Sequence, residues 1–198
     1  MRALLLSGGI DSSALAFWQR PDVAVTIDYG QKPAHAEIDA ASEICRTLDL
    51  RHEIIRVDCS SLGTGNLAGQ PVSSLSEAPE WWPFRNQLLV TLAGMKLVTK
   101  GLAEIIIGTV RGDSDVHADG RAEFISCLDA IMRVQEGGVR VTAPAIKLSS
   151  EELLSCSGAT ADLLGWTFSC HVSEYACGQC RGCTKHLNAI QWFLRKAR

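Results

Sequence analysis

The sequence predicts an α/β fold, a doubly wound parallel sheet with helices on both faces, ending in a C-terminal four-cysteine metal-binding segment. Three observations predict it. An apolar run, Leu4-Leu5-Leu6, stops at Ser7-Gly8-Gly9, and a helical pattern (Ala14, Leu15, Phe17, Trp18) follows at once. Short β-type runs then alternate with helical periods along the chain, the pattern of strands joined by helical crossovers. Near the end, Cys170-x6-Cys177-x2-Cys180-x2-Cys183 sets four soft ligands close together.

Each element has its own justification. Val23 to Asp28 is a second short apolar strand, ending in Tyr29-Gly30-Gln31. Residues 36–48 carry a helical period through Ile38, Ala41, Ile44 and Leu48, and Glu53 to Val57 reads as a third strand. Residues 59–80, rich in Ser, Gly and Pro, read as a loop. A helix is expected at 86–100, a buried strand from Glu104 to Gly108, and a helix at 121–135 with Phe124, Leu128, Ile131 and Met132 on one face. Val139 to Thr142 is a short strand. Ser149 or Ser150 is placed to cap the next helix, and Thr184 to Lys196 reads as the last one. Residues 1–165 are expected to form the α/β domain, with 166–198 packed on it as a metal-binding tail and helix.

Composition limits the function. A chain of 198 residues with 46% apolar and 21% charged content can bury an ordinary core. A net charge of −3 argues against a broad electrostatic grip on nucleic acid, although a small anion needs only a local positive pocket. No apolar run approaches a membrane span. The first strand runs straight into the glycine loop, so no signal peptide is expected and the protein reads as cytoplasmic. In that setting the cysteine cluster signifies metal ligation rather than disulfides, while Cys45, Cys59, Cys127 and Cys156 read as isolated thiols.

The glycine loop carries the most chemistry. Ser7, Gly8, Gly9 and Ser12 offer bare amides and small side chains at a helix N-terminus, where the dipole favours phosphate. The Lys of a Walker loop is missing, so this is a different phosphate loop. Asp11 stands beside it and suits Mg²⁺, which prefers carboxylate and phosphate oxygens. Ligands of parallel sheets bind beyond the C-terminal strand ends. The loop, Tyr29-Gly30-Gln31 and Gly108-Thr109 therefore converge on one site. Four thiolates suit tetrahedral Zn²⁺ in a closed, structural site; zinc is favoured over an iron–sulfur cluster and over redox thiols, with His171 and His186 in supporting or surface places.

Three further segments hold more polar groups than a core needs: Trp81-Trp82-Pro83-Phe84-Arg85-Asn86-Gln87, the loop Gly108 to Arg121 with Asp113, Asp115, His117 and Asp119, and Pro144-Ala145-Ile146-Lys147. Together with Leu6-Ser7-Gly8-Gly9-Ile10-Asp11-Ser12, Tyr29-Gly30-Gln31 with Glu37, and the cysteine tail, they resemble in order the 7-cyano-7-deazaguanine synthase (QueC) family of N-type ATP pyrophosphatases. That resemblance implies an adenine nucleotide alpha hydrolase-like, HUP-type fold. It implies ATP, with Mg²⁺, at Leu6, Ser7, Gly8, Gly9, Asp11, Ser12 and Ser13. It makes Asp11, Arg85 and Lys147 the candidate catalytic groups, and Tyr29, Gln31, Arg85, Asn86, Asp113, Asp119 and Arg121 the candidate substrate contacts. Asp113 or Asp119 would read a guanine-like edge, and Tyr29 or Trp82 would stack on the ring.

The implied reaction adenylates 7-carboxy-7-deazaguanine and converts it with ammonia to an amide, then a nitrile. The implied partners are that deazapurine carboxylate and ammonia, with no membrane and no direct nucleic acid; a protein substrate and a homodimer are compatible with the sequence. Two departures are plain. Val116-His117-Ala118 stands where the family has G-Y-P, and the Tyr29-Gly30-Gln31 segment has one extra residue before Glu37, with Pro33 at an expected basic or His position. The fate of the activated carboxylate is thus more open than its activation: a paralogue coupling it to another amine is the nearer alternative, and a tRNA thiolase the more distant one.

Overall fold

The computed structural model describes residues 1–196. Five parallel strands, β1 (Arg2–Leu5), β2 (Val23–Asp28), β3 (Arg51–Arg56), β4 (Glu104–Ile106) and β5 (Arg140–Thr142), form one sheet in the order β3-β2-β1-β4-β5. Register aligns Leu4 with Ala24 on one side and with Ile106 on the other. The chain winds outward from β1 to β3, then returns to β1's other edge with β4. The strand order therefore reverses between β1 and β4, and a crevice opens there above the C-terminal strand ends.

Period-two alternation sends neighbouring residues of each central strand into opposite cores. Leu4, Ala24 and Ile106 join one, with Leu15 and Ala16 of α1 (Ile10–Gln19), Ala41 and Ile44 of α2 (Ala34–Leu48), Leu153 of α7 (Ser150–Ser157) and Ala189 of α9 (Arg181–Lys196). Ala3, Val23, Val25 and Ile105 join the other, against Val90, Ala93 and Leu97 of α4 (Arg85–Leu97) and Ile125 and Leu128 of α6 (Ala122–Arg133). Ile105 and Ile106 are both fully buried. At ~1.5–3 kcal/mol for each such side chain, the two hold the short β4 in the sheet from both faces.

The structure refines several expectations. The 59–80 loop contains a 3-10 turn at Ser60–Leu62 and a short helix α3 (Gly65–Ala68), pinned by the buried Leu67 and by a bond from Lys32 N to the Leu67 carbonyl. A single buried apolar residue leaves no period to read in so polar a stretch. Two other four-residue helices, α5 (Arg111–Ser114) and α8 (Ala161–Leu164), are also too short to show periodicity. Ser149 is the cap of α7: its hydroxyl accepts from Glu152 N at 3.2 Å while the Glu152 carboxylate accepts from Ser149 N at 2.7 Å. The last helix starts at Arg181 rather than Thr184, so Cys183 lies in its first turn. Among the described residues no helix is long and apolar enough to cross a membrane.

The C-terminal strap returns to the N-terminal loop. Phe168 N donates to the Gly8 carbonyl at 2.9 Å. Helix α9 then lies so close to this strap that a Cβ on Gly182 would collide with the Ser169 carbonyl and sit 2.6 Å from His171 Nε2. Gly182→Ala should therefore lower stability by roughly 1–3 kcal/mol, the cost of overpacking a tight contact, read as a lower urea midpoint. An unchanged midpoint would show that the strap and helix can part freely.

Candidate active site and four-cysteine centre

A cavity of ≈ 270 Å³ opens above the ends of β1, β2 and β4. Of the loop residues singled out from the sequence, Leu6, Ser7, Gly9, Asp11 and Ser12 line it. Gly8 and Ser13 support it from behind. Gly8 turns at φ +75, and a Cβ there would meet Ala40 Cβ at 2.7 Å, so the turn packs tightly under α2. Ser13 is fully buried and donates its hydroxyl to the Gly9 carbonyl at 2.7 Å. The Ser7 and Ser12 hydroxyls lie 3.3 Å apart at the cavity. The N-terminus of α1 thus presents amides and two hydroxyls to the space in front of it.

Lysine enters from a place the sequence reading overlooked. Lys185 of α9 extends its ammonium between Asp11 Oδ2 and Asp113 Oδ1, 2.8 Å from each. Burial opposes its charge, but the two carboxylates outweigh burial and hold the ammonium protonated above its ordinary range. Asp113 Oδ2 also accepts from Val110 N at 3.2 Å. Lys147, the lysine expected from the sequence, is exposed and lies off the cavity; its carbonyl accepts from Arg111 Nη1 at 3.3 Å. The turn after β5 carries its side chain to the surface.

Arg85 and Asn86, at the start of α4, line the cavity together with Tyr29 and Glu37. Burial pushes Glu37 up to about 7, against a hydrogen bond from Gln31 and the charge of Arg85. Burial opposes the Arg85 charge, but the neighbouring Tyr29, Asp119 and Glu37 raise its pKa on balance. Asp119 caps α4: its carboxylate accepts from Asn86 N at 3.2 Å and its carbonyl from Asn86 Nδ2 at 2.9 Å. Asp119 does not line the cavity. Gln31 is also spent internally, donating to the Ile27 carbonyl and Glu37 and accepting from Tyr29 N. Arg121 is exposed, 3.4 Å from the Ser114 carbonyl. Trp82 is a core residue set edge-on to Tyr29, ring centroids 4.8 Å apart, so of the two aromatics only Tyr29 reaches the cavity.

The far wall holds a second charged group. Glu80, 2% exposed, receives Arg181 Nη1 at 2.6 Å and lies 3.2 Å from His117 Nε2, both on its Oε1. Burial would raise its pKa, but His117, a backbone amide and the charges of His171 and Arg181 bring it down to about 2. Burial pushes His171 down to about 4. His186 reaches the cavity too, with Nδ1 3.1 Å from Ser169 Oγ. One signal in the sequence could have found part of this wall. Arg181, Gly182, Lys185 and His186 fall on one helical face, at the i, i+1, i+4, i+5 spacing.

Beneath that helix the sulfurs of Cys170, Cys177, Cys180 and Cys183 all lie within 4.8 Å of one another. Those of Cys177 and Cys183 are 3.9 Å apart, near the ~3.8 Å edge of a tetrahedron with ~2.3 Å zinc–sulfur bonds. Backbone amides already point at the sulfurs: Cys180 N at Cys177 Sγ (3.3 Å), and His171 N and Cys183 N at Cys180 Sγ (both 3.4 Å). Donors so placed stabilise thiolates, and those of Gln179 and Cys180 lower Cys177 to about 6. Four sulfurs so placed can hold a metal ion.

A glycine-turned loop between the first strand and helix of a parallel sheet, facing a cavity walled by a cysteine-knotted tail, defines a class: α/β proteins that seat a ligand at the strand-order reversal. Within that class the chain belongs to the QueC family, whose model, described as queuosine biosynthesis protein QueC, matches residues 2–193. It is thus an enzyme of a queuosine-biosynthesis family. Similar proteins named 7-cyano-7-deazaguanine synthase include those of Desulforudis audaxviator (31% identical, covering 92% of each chain) and Nitratiruptor (28%, covering 95% of this chain and 92% of the relative). That of Methanosarcina barkeri is 25% identical and covers 96% and 94%. Among solved structures, NMN synthetase from Francisella tularensis aligns over 98% of this chain and 84% of its own at 15% identity, with a TM-score of 0.36, too loose an overlap to inform function.

Two measurements test the site. Lys185→Met should cut turnover by at least ~10²-fold, as loss of a fixed charge at a reacting centre does, whereas Lys147→Ala, on a surface side chain, should change it less than roughly threefold. The reverse ranking would place the working cation after β5. Cys180→Ser should lower bound metal and melting temperature together, while Cys45→Ser leaves metal content unchanged; full metal in Cys180→Ser would refute four-thiolate ligation.

Proposed function

We propose that this chain is an ATP-dependent carbon–nitrogen ligase that adenylates the carboxylate of 7-carboxy-7-deazaguanine and converts it with ammonia to the amide and then to 7-cyano-7-deazaguanine. One observation carries the reading: a single cavity unites the amide-rich loop at 7–12, the Asp11–Lys185–Asp113 group and Arg85, in a chain whose relatives bear that synthase name. A carboxylate oxygen attacks the α-phosphorus, and the bond to the β-phosphate oxygen breaks to release pyrophosphate. Ammonia then adds to the acyl carbon, AMP departs and a proton is lost. For the nitrile, the amide oxygen attacks the α-phosphorus of a second ATP, pyrophosphate leaves, and loss of AMP together with both amide N–H protons completes the dehydration.

The residues match those needs. Loop amides and the Ser7 and Ser12 hydroxyls receive the departing pyrophosphate. Lys185 and Arg85 offset the charge that gathers around the α-phosphate and carboxylate. Two carboxylates around one ammonium leave that end of the cavity with a net negative charge, so a triphosphate needs an accompanying cation. Asp11, whose Oδ1 is buried without a partner among the described residues, fits Mg²⁺ there. Zinc on the four cysteines would be structural, fixing the helix that carries Lys185.

A second reading has its own observation. His117, from the stretch that departs from the family pattern, stands on the cavity wall, where it can alter what the activated carboxylate meets next. That favours a paralogue joining it to another amine, a protein group included. Incubation with ATP, 7-carboxy-7-deazaguanine and ammonia, followed by mass spectrometry, should show AMP, pyrophosphate and the nitrile. Adenylate and amide without nitrile would favour the conjugating paralogue. ADP and phosphate alone, or no deazapurine turnover, would sink both.

A further inference from the structure

Three buried side-chain atoms have no hydrogen-bond partner among the described residues: Asp11 Oδ1, Glu80 Oε2 and His171 Nδ1. All three residues lie on the wall of the same cavity. An unpaired buried polar atom costs ~1–3 kcal/mol, and folded proteins keep few of them, so such a group marks a place that a ligand completes. Asp11 belongs to the phosphate end. Glu80 and His171 come from the segment before α4 and from the strap before α9, away from the loop amides.

We propose that Glu80 recognises the ring of the substrate, its Oε2 accepting from the adjacent N1–H and 2-amino donors of a guanine-type base. This rests on the ligase reading above. Glu80 is locked: Oε1 is held by Arg181 at 2.6 Å with His117 at 3.2 Å, and Arg181 is itself fixed by donating to the Gly112 carbonyl at 3.3 Å. The carboxylate stays ionised well into acid, so at neutral pH Oε2 only accepts, and its ligand must donate. Arg181 cancels its charge, which selects a neutral N–H edge over an ammonium group. One carboxylate oxygen has two lone pairs, enough for two neighbouring donors. The carboxylates that the sequence offered for this task are already used, Asp113 by Lys185 and Val110 N, Asp119 by Asn86. His117, which helps to fix Glu80, lies where the chain departs from its family's pattern.

Deazapurine-dependent pyrophosphate release by the zinc-loaded full chain tests this. Glu80→Gln should raise KM for 7-carboxy-7-deazaguanine roughly 10- to 100-fold, the worth of a hydrogen bond to a charged group, with KM for ATP within about twofold. The analogue lacking the 2-amino group should bind the wild type more weakly by a similar factor, and Glu80→Gln should erase most of that discrimination. A residue that merely supports the fold would not move that ratio. Should Glu80→Gln fail to fold, Glu80→Asp keeps the charge facing Arg181 but withdraws Oε2, and the same split is expected. If neither folds, the wild-type comparison decides: equal KM for the two rings overturns the assignment and a raised KM for the analogue supports it. An unchanged KM in a folded variant, an undiminished ratio, or a rise confined to ATP also overturns it. Absence of pyrophosphate release by the wild type would instead remove the ligase reading itself.

Discussion

The ammonium of Lys185 is the joint on which the cavity depends. It touches Asp11 on the loop after β1 and Asp113 in the segment after β4, and it comes from the last helix. One cation thus bridges both sides of the strand-order reversal and closes the space above it. Broken ion pairs in such places are costly because they leave an uncompensated charge behind. Here the loss would be double, since two carboxylates would face each other with nothing between them. The contact is therefore structural and electrostatic at once: it shapes the cavity and sets the charge a ligand meets.

Around that joint the walls divide their work. The loop side offers amides and hydroxyls, soft donors that suit a polyanion without neutralising it outright. Arg85 adds a permanent cation, held near Tyr29, Glu37 and Asp119, which raise its pKa against the cost of burial. The Glu80–His117–Arg181 wall is nearly neutral in sum but strongly polar. One cavity thus contains a region fit for charge and another fit for hydrogen-bonding pattern. Such a separation suits ligands that present an anionic group at one end and a polar edge at the other.

The fold was legible in the sequence because its signals are local. Leu4 to Leu6, Val23 to Ile27 and Ile105 to Ile107 are apolar runs bounded by turns, and the helices between them show clear periods. The loop after β1 and the cysteine tail could be read from spacing alone. Glu80 and Lys185 could not. Each is one charged residue in a polar stretch, and its importance comes from a partner far along the chain: Arg181 for Glu80, Asp11 for Lys185. Lys147 illustrates the converse. It follows a strand and a turn, as a working lysine would, yet the turn carries it outward. Gln31 and Asp119 show a third case, in which a polar residue beside a site is used up by hydrogen bonds to its neighbours.

The strap at 168–171 and helix α9 have a bearing on biosynthetic timing. The cavity draws residues from Leu5 to His186, so its contacts span nearly the whole described chain. During translation a chain that has emerged only as far as β5 contains all five strands and the glycine loop. It still lacks Arg181, Lys185 and the cysteine cluster. Long-range closures of this kind form last, because their loop entropy must be overcome before they yield any contact. The pocket is therefore unfinished until Arg181 and Lys185 are in place. A half-made molecule of this design holds no finished pocket, and its ligand has nowhere to sit until the tail arrives.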